Sequence, residues 1–284
     1  MRINLSTRRL ATLASLSISM LVLGACAVNT HNATTPLLSS QQIAELVASP
    51  DRSEADRIND KRRQPAQMLA FIGVRPGIVA LDLSAGGGYT TELLARAAGP
   101  TGRVYGQSPP RVPRNSAAAP EGGAAPAAAA PASGAARAAP AGLAARAANV
   151  QAGHIVVVVQ PFESPVPAQA TPEGLDLVTL MFNYHDLGHL GVDRAKMNQA
   201  VFAALKPGGV FVIADHSGRA GTGISESGTL HRIEESFLRA EVEHAGFKLA
   251  DEGNFLRNPN DPRDQNTPNP PQPKDEFVLK FVKP

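Results

Sequence analysis

Short apolar runs alternate along this chain with stretches whose apolar residues recur every three or four positions. Ile43 to Ala48 has helical spacing, as does Ser53 to Ile72, with Ile58, Met68, Leu69 and Ile72 on one stripe interrupted by Pro65. The Arg75-Pro76-Gly77 turn leads into a first strand, Ile78 to Leu83, followed by Ser84-Ala85-Gly86-Gly87-Gly88 and a helix from Tyr89 to about Arg96. Arg103 to Gln107 is a short second strand. His154 to Val159 is apolar on both faces, as a buried parallel strand requires. Leu175 to Phe182 is the fourth strand, and Asp193 to Leu205 a helix closed by Lys206-Pro207-Gly208-Gly209. Val210 to Ala214 is the fifth strand. A long helix is predicted from Glu226 to Ala245, ending at Gly246, then strands at Phe247–Phe255 and Glu276–Val282 around a Pro/Asn/Asp-rich loop. Strands alternating with helices predict an α/β fold: a mostly parallel sheet with crossover helices on both faces.

Two segments break this pattern. From Pro109 to Ala148 the chain is a run of Ala, Pro and Gly with scattered Arg and almost no large apolar side chain. Such a composition buries too little surface to offset its ordering entropy, so a disordered insertion is expected at 109–148. At the other break, Arg2, Arg8 and Arg9 precede an apolar stretch from Leu10 to Leu23, too short and too rich in Ser and Thr for a membrane span. It ends in Leu23-Gly24-Ala25-Cys26, which resembles a bacterial lipobox. That resemblance implies a signal peptide over 1–25, lipidation of Cys26 and attachment to a membrane through the acyl chains. Ala27, where inner-membrane retention signals carry Asp, points to the periplasmic side of the outer membrane. Thr7-Arg8-Arg9 weakly resembles a twin-arginine export signal. Residues 26–50 read as a tether, polar to residue 40, and 51–284 as one domain.

Cys26 is the only cysteine among 284 residues, which leaves the domain neither a disulfide nor a thiol nucleophile. The formal net charge is +2, with no basic block beyond Lys61-Arg62-Arg63, so a nucleic-acid partner is not expected.

Candidate chemistry starts at the glycine-rich turn. A strand, a turn without side chains and a helix let a ligand approach the backbone at the strand's carboxyl end. A P-loop is excluded, since no Gly-Lys-Ser/Thr follows. The dinucleotide fingerprint, aligned on Gly86 and Gly88, puts Thr91 at its third glycine, and no acidic residue ends the second strand. A tight turn without a ligand is the plain alternative.

Together these segments resemble the class I S-adenosylmethionine-dependent methyltransferases, in particular a group of predicted bacterial ones. The residues that carry the resemblance are D-L-S-A-G-G-G-Y-T-T-E-L-L-A-R from Asp82, N-Y-H-D from Asn183, L-K-P-G-G-V-F-V-I-A-D-H-S-G from Leu205, T-L-H-R-I-E-E-S-F-L-R from Thr229, and the closing F-V-L-K-F. It implies a Rossmann-like sheet of seven strands with an antiparallel C-terminal strand, and S-adenosyl-L-methionine as cofactor. It also implies cofactor contacts from Asp82, Ser84, Gly86, Gly88, Gln107 and Asn183. Ser84 stands where the pattern has Gly, and Gln107 where it has an acidic residue.

Methyl transfer from a sulfonium asks the protein mainly for positioning and electrostatics, with a base only when the acceptor must lose a proton. Polar residues after strands four and five are the natural candidates: Tyr184, His185, Asp186 and His216, with Asp215 beside them. His185 or His216 could take a proton, and Tyr184 could stack on an acceptor or meet the sulfonium with its ring. Asp186 and Asp215 have the plainer alternative of capping nearby amides. His185, Asp186, His189 and His216 also have metal-ligand chemistry, but the His-x-x-x-His spacing suits a metal only on a helix, and Gly188 and Gly191 argue against one there; no metal is expected. His231, Arg232, Glu234 and Glu235 read as a solvated or salt-bridged helix face. The acceptor is expected to be a small molecule.

Overall fold

The computed structural model describes residues 1, 35–110 and 141–284. The expected signal peptide at 1–25, the lipidation site Cys26 and residues 111–140 of the expected insertion lie outside the described residues.

The apolar runs become strands β1 (Val79–Leu83), β2 (Arg103–Ser108), β3 (Ile155–Val159), β4 (Leu175–Met181), β5 (Leu205–His216), β6 (Lys248–Gly253) and β7 (Glu276–Val282). They form one seven-stranded sheet in the order β3-β2-β1-β4-β5-β7-β6. Neighbours from β3 across to β5 run parallel, and β7 lies antiparallel between β5 and β6. The chain is thus the mostly parallel α/β sheet expected from the pattern, with the seven strands and Rossmann-like form that the resemblance implied. Its strand order reverses at β1, which pairs with β2 on one side and β4 on the other. The carboxyl ends of β1 and β4 therefore flank a switch-point crevice, the place where open α/β sheets bind ligands.

Helices cover both faces. Residues of one parity (Ala80, Val104, Leu177, Val212) pack under α1 (Ser40–Val47), α3 (Pro65–Ile72), α4 (Tyr89–Ala98) and α5 (Ala141–Ala148). Those of the other parity (Leu81, Tyr105, Val178, Phe211, Ile213) pack under α6 (Asp186–His189), α7 (Arg194–Ala204) and α8 (Glu235–His244). The two-residue period of a strand is what sorts them. Pro65 interrupts the N-terminal helical stripe because it opens α3 at its first position. Gln64, left-handed at φ 45°, ends α2 (Glu54–Arg63) just before it. Among the described residues no helix is long and apolar enough to cross a membrane.

Three expectations change. The tether does not run to residue 50: Ser39 and Gln42 form a capping box, and α1 buries Ile43 in the core. The Ala/Pro-biased stretch is not disordered to Ala148, since its last eight residues are α5. Leu143 is fully buried against β2, and Arg146 pairs with Asp56 at 2.8 Å and with Glu92. One leucine and one arginine suffice to dock a short helix on a preformed surface, and averaged composition hides both. Lastly, the long helix expected from Glu226 starts only at Glu235. The chain before it is pulled back to the sheet, with Gly218 N donating to Ile233 O at 2.7 Å and Ile233 N to His216 O at 3.1 Å. The fully buried Arg232 guanidinium holds that path, donating to Ser217 O at 2.9 Å and pairing with Asp261 at 2.9 Å. Helical propensity loses to these contacts.

Leu143→Ala is expected to cost about 2–5 kcal/mol, the usual price of a leucine cavity in a packed core. Urea denaturation of the variant against the parent chain measures it, and a loss below about 0.5 kcal/mol would mean that α5 is not docked as described.

Candidate functional site

The crevice is built from the glycine turn outward. Asp82 sits beneath the turn, where Thr91 Oγ1 donates to one carboxylate oxygen at 2.6 Å and Thr179 Oγ1 to the other at 2.8 Å. Burial pushes the Asp82 carboxyl up to about 6, against the pull of both threonines and Arg63. Asp82 therefore braces β1, α4 and β4 and does not face the crevice with a free oxygen.

Ser84 takes the left-handed conformation, at φ 54°, that the missing glycine would have adopted. Its N–H donates to Gln107 Oε1 at 3.0 Å, its hydroxyl donates to Asn183 Oδ1 at 2.6 Å, and Gln107 Nε2 donates to Gln160 O at 2.6 Å. Gln107 is fully buried, so its amide ties the ends of β1, β2 and β3 together and is not displayed toward a ribose. At the end of β2 it is Ser108 that has a buried hydroxyl without a hydrogen-bond partner.

The three glycines separate in role. Gly86 and Gly87 are exposed; a Cβ at Gly87 would meet nothing within 4 Å, and at Gly86 only Ser84 O at 3.8 Å. Gly88, in contrast, is closed off by α5, and a Cβ there would lie 2.8 Å from Arg146 Cδ. Gly87 O accepts from Arg146 Nε at 2.7 Å and its backbone packs against Gly142 of α5, so of the three glycines Gly86 is the one whose backbone is open. Beside it stands Arg63, its guanidinium carbon 4.4 Å from the centre of the Phe182 ring and 5.5 Å from that of Tyr89. Among the described residues no carboxylate pairs with Arg63, and burial lowers its pKa to about 10, with Arg62 adding to the fall. A partly buried cation with no carboxylate in ion-pair contact among the described residues is a ready partner for an anionic ligand.

Past the carboxyl ends of β4 and β5 lies a cluster of imidazoles and carboxylates. His185 donates from Nδ1 to Asp215 Oδ1 at 2.6 Å and from its backbone N–H to Asp215 Oδ2 at 2.7 Å. Its Nε2 lies 3.1 Å from Asp186 Oδ1, and His231 Nδ1 reaches the same oxygen at 2.7 Å. Asn183 Nδ2 donates to Asp186 Oδ2 at 2.9 Å, which joins the cluster to Ser84. His189 Nδ1 lies 3.0 Å from Ser227 Oγ and 3.8 Å from Asp186 Oδ1. Burial disfavours the His185 imidazolium, yet Asp215 and Asp186 outweigh it and raise the pKa to about 9. Burial likewise opposes the Asp186 carboxylate, but His185 and His231 hold it down at about 2. His216 behaves oppositely. Burial drives it to about 3 despite Asp215, so its ring is neutral. Its Nδ1 is 2.9 Å from Glu276 Oε1 but out of line for a hydrogen bond.

Tyr184 corrects the sequence reading. Its ring is fully buried on the opposite side of β4, with the hydroxyl 3.0 Å from Glu241 Oε2 and accepting from Asn198 Nδ2 at 2.9 Å. The turn after β4, entered through Phe182 at φ 59°, carries it toward α7 and α8, so it stacks on nothing in the crevice. His231 corrects it in the other direction: expected on a helix face, it joins Asp186 from a loop 45 residues away. Arg63 and Ser108 were also missed, since a lone Arg or Ser in sequence has no signal until its surroundings are known. The dismissal of a helix at His185–His189 fails too, because α6 forms across Gly188.

No protein-family model and no curated protein matches the chain. Solved structures do. A SAM-dependent methyltransferase from Aquifex aeolicus superposes with a TM-score of 0.51 at 15% identity, covering 87% of this chain and 100% of that one. A chain from the complex of the Haloferax volcanii Trm112 methyltransferase activator with a methyltransferase gives 0.50 at 17% identity, covering 87% and 99%. At these identities the likeness is one of fold: the chain has the class I methyltransferase fold.

Asp82 yields a pH-dependent prediction. Its folded pKa lies above the unfolded value, so the protonated side chain favours folding below about pH 4 and that contribution is lost as pH rises through about 6. The stability of Asp82→Asn relative to the parent chain should therefore rise over that interval, by at most roughly 1.4 kcal/mol per pH unit. Urea midpoints of both chains across the interval measure it, and a flat difference would refute the assignment.

Proposed function

We propose that this chain is an S-adenosylmethionine-dependent methyltransferase acting on a small molecule, exported and anchored by a lipid on Cys26 to the periplasmic side of the outer membrane. The observation that carries the catalytic part is the open backbone of Gly86 at the switch point, with Arg63, which has no carboxylate in ion-pair contact among the described residues, over the Phe182 and Tyr89 rings. The donor set fits the cofactor. Arg63 suits its carboxylate, and the bare turn at Gly86 admits its methionine portion. When bound, adenosylmethionine supplies a methyl group on a sulfonium, an electrophile that needs no covalent help from the protein. The chain's own part is to hold both reactants in line and exclude water. Asn183 and Asp186, fixed by Ser84 and the histidines, are the polar groups that would orient an acceptor.

A second reading, a ligand-binding lipoprotein without catalysis, is favoured by one feature. Gln107 is spent inside the sheet, so β2 offers no charged acceptor for an adenosyl group. Calorimetric titration of the full chain in detergent with adenosylmethionine and adenosylhomocysteine separates the two. Saturable binding is expected, weakened about 10- to 100-fold by Arg63→Met, the scale of a charge-assisted hydrogen bond, and lost in Gly86→Val. No heat at millimolar ligand from a folded chain would overturn the methyltransferase reading and leave the second one.

The anchor has its own test. Cys26→Ser should move the protein from the membrane to the soluble fraction on cell fractionation. A variant that still sediments with membranes would refute lipidation as the attachment.

A further inference from the structure

Four of the chain's seven histidines, His185, His189, His216 and His231, gather at one end of the sheet, each ring centroid within 5.2–5.7 Å of another. Two carboxylates, Asp186 and Asp215, lie among them. Among the described residues, neither of these aspartates has a Lys or Arg partner; every cationic group paired with them is a histidine. Asp215 is fully buried. Buried acidic groups are ordinarily compensated by a permanent cation or by a metal ion.

We propose that His185 Nε2, Asp186 Oδ1 and His231 Nδ1 form a binding site for one divalent transition-metal ion of the zinc type. The three residues offer donor atoms that lie within 4.8 Å of one another, with His185 Nε2 and His231 Nδ1 at 3.1 and 2.7 Å from Asp186 Oδ1. An ion about 2.0–2.1 Å from each donor spreads neighbouring donors to roughly 3.0–3.4 Å, so the two distances to Asp186 Oδ1 are within a few tenths of an ångström of what an ion requires, and the two imidazole nitrogens, within 4.8 Å of each other, would adjust to it. Two imidazoles and one carboxylate suit zinc, cobalt(II) or iron(II) better than magnesium or calcium, which prefer oxygen alone.

What surrounds the donors is the stronger argument, because each is already oriented. Asp215 accepts the Nδ1–H of His185 and so fixes the ring with Nε2 turned toward Asp186, the carboxylate–histidine arrangement that supports metal ligands. Asn183 Nδ2 holds the second oxygen of Asp186 and leaves Oδ1 to the histidines. His231 is kept in the left-handed region, at φ 52°, where a non-glycine residue pays conformational energy. Its own N–H donates to Glu226 O at 3.1 Å, and its neighbour Arg232 is locked to Ser217 O and Asp261. The loop thus spends strain and a buried ion pair to bring His231 to an oxygen that an unstrained helix would have kept it from. Asp186 and His231 are partly exposed, so an ion can enter and keep a position open to small molecules. On the methyltransferase reading, that position selects acceptors with oxygen or sulfur donors. The site itself rests on the cluster and not on that reading.

The test uses the full chain, purified in detergent without a histidine tag, stripped with chelator and titrated with cobalt(II) in the absence of adenosylmethionine. One cobalt ion per chain is expected, with ligand-field absorption in the visible that zinc displaces. His231→Ala, a change at a half-exposed loop residue, should weaken binding at least about 10-fold. Asp215→Asn, which leaves all three ligands in place, should weaken it about 10- to 100-fold. His244→Ala, on the exposed surface of α8, should leave affinity unchanged. No saturable absorption change with cobalt or zinc, or equal affinity in His231→Ala and the parent chain, would overturn the proposal. Since no adenosylmethionine is present, failure of the cofactor to bind cannot be mistaken for failure of the metal site.

Discussion

The Gln107 side chain is the tie on which the crevice depends. Three neighbouring strands, β1, β2 and β3, end side by side next to the switch point, and the turn after β1 has left the sheet's own ladder. One buried amide accepts from Ser84 N–H and donates to Gln160 O, while its backbone carbonyl accepts from Ala85 N–H at 2.8 Å. An amide can do both because it has a donor and an acceptor on one rigid plane; a carboxylate could only accept. Once Ser84 is fixed, its hydroxyl fixes Asn183, and Asn183 fixes Asp186. A chain of side-chain hydrogen bonds therefore runs from the glycine turn to the histidine cluster. Each link is partly buried, where an unmade bond costs more than a made one returns.

That chain joins two regions of opposite electrostatic character. On the turn side, Arg63 is a cation over two aromatic rings, with no carboxylate in ion-pair contact among the described residues. On the cluster side, Asp186 and Asp215 have, among the described residues, histidines as their only ion-pair partners. The crevice is thus polarised, with the positive end by the bare backbone and the negative end by the loop that carries His231. An amphoteric ligand would be aligned by such a field before any close contact formed.

Conformational cost has been placed where it shapes this site. Ser84, Phe182 and His231 all have positive φ, at 54°, 59° and 52°, and all three border the crevice. At Phe182 the reward is a ring under the Arg62 and Arg63 guanidiniums; at His231 it is the bond to Asp186. Elsewhere, α5 closes Gly88 from behind, so the turn is supported on one side and open on the other.

Short apolar runs located most of the strands, because a strand's burial needs are met by about four to seven consecutive residues whatever follows them. β1, β3 and β7 fall where the apolar runs place them, and the glycine turn marks the crevice without reference to coordinates. The pairs that make the site were not legible. Nothing in Tyr184 says that it faces α7 and α8, since a shift of one residue past a strand's end changes the face. Nothing in His231 says that it meets Asp186, since loop closure over 45 residues is settled by Arg232 and Asp261. Gln107 reads as a weakened ligand contact until its buried partners are seen, and Leu143 as one residue in a biased stretch until β2 offers it a surface. Local pattern placed the strands and most helices; long-range hydrogen bonds and burial, which depend on three-dimensional proximity, decided where α5, α6 and α8 form and what each polar side chain is for.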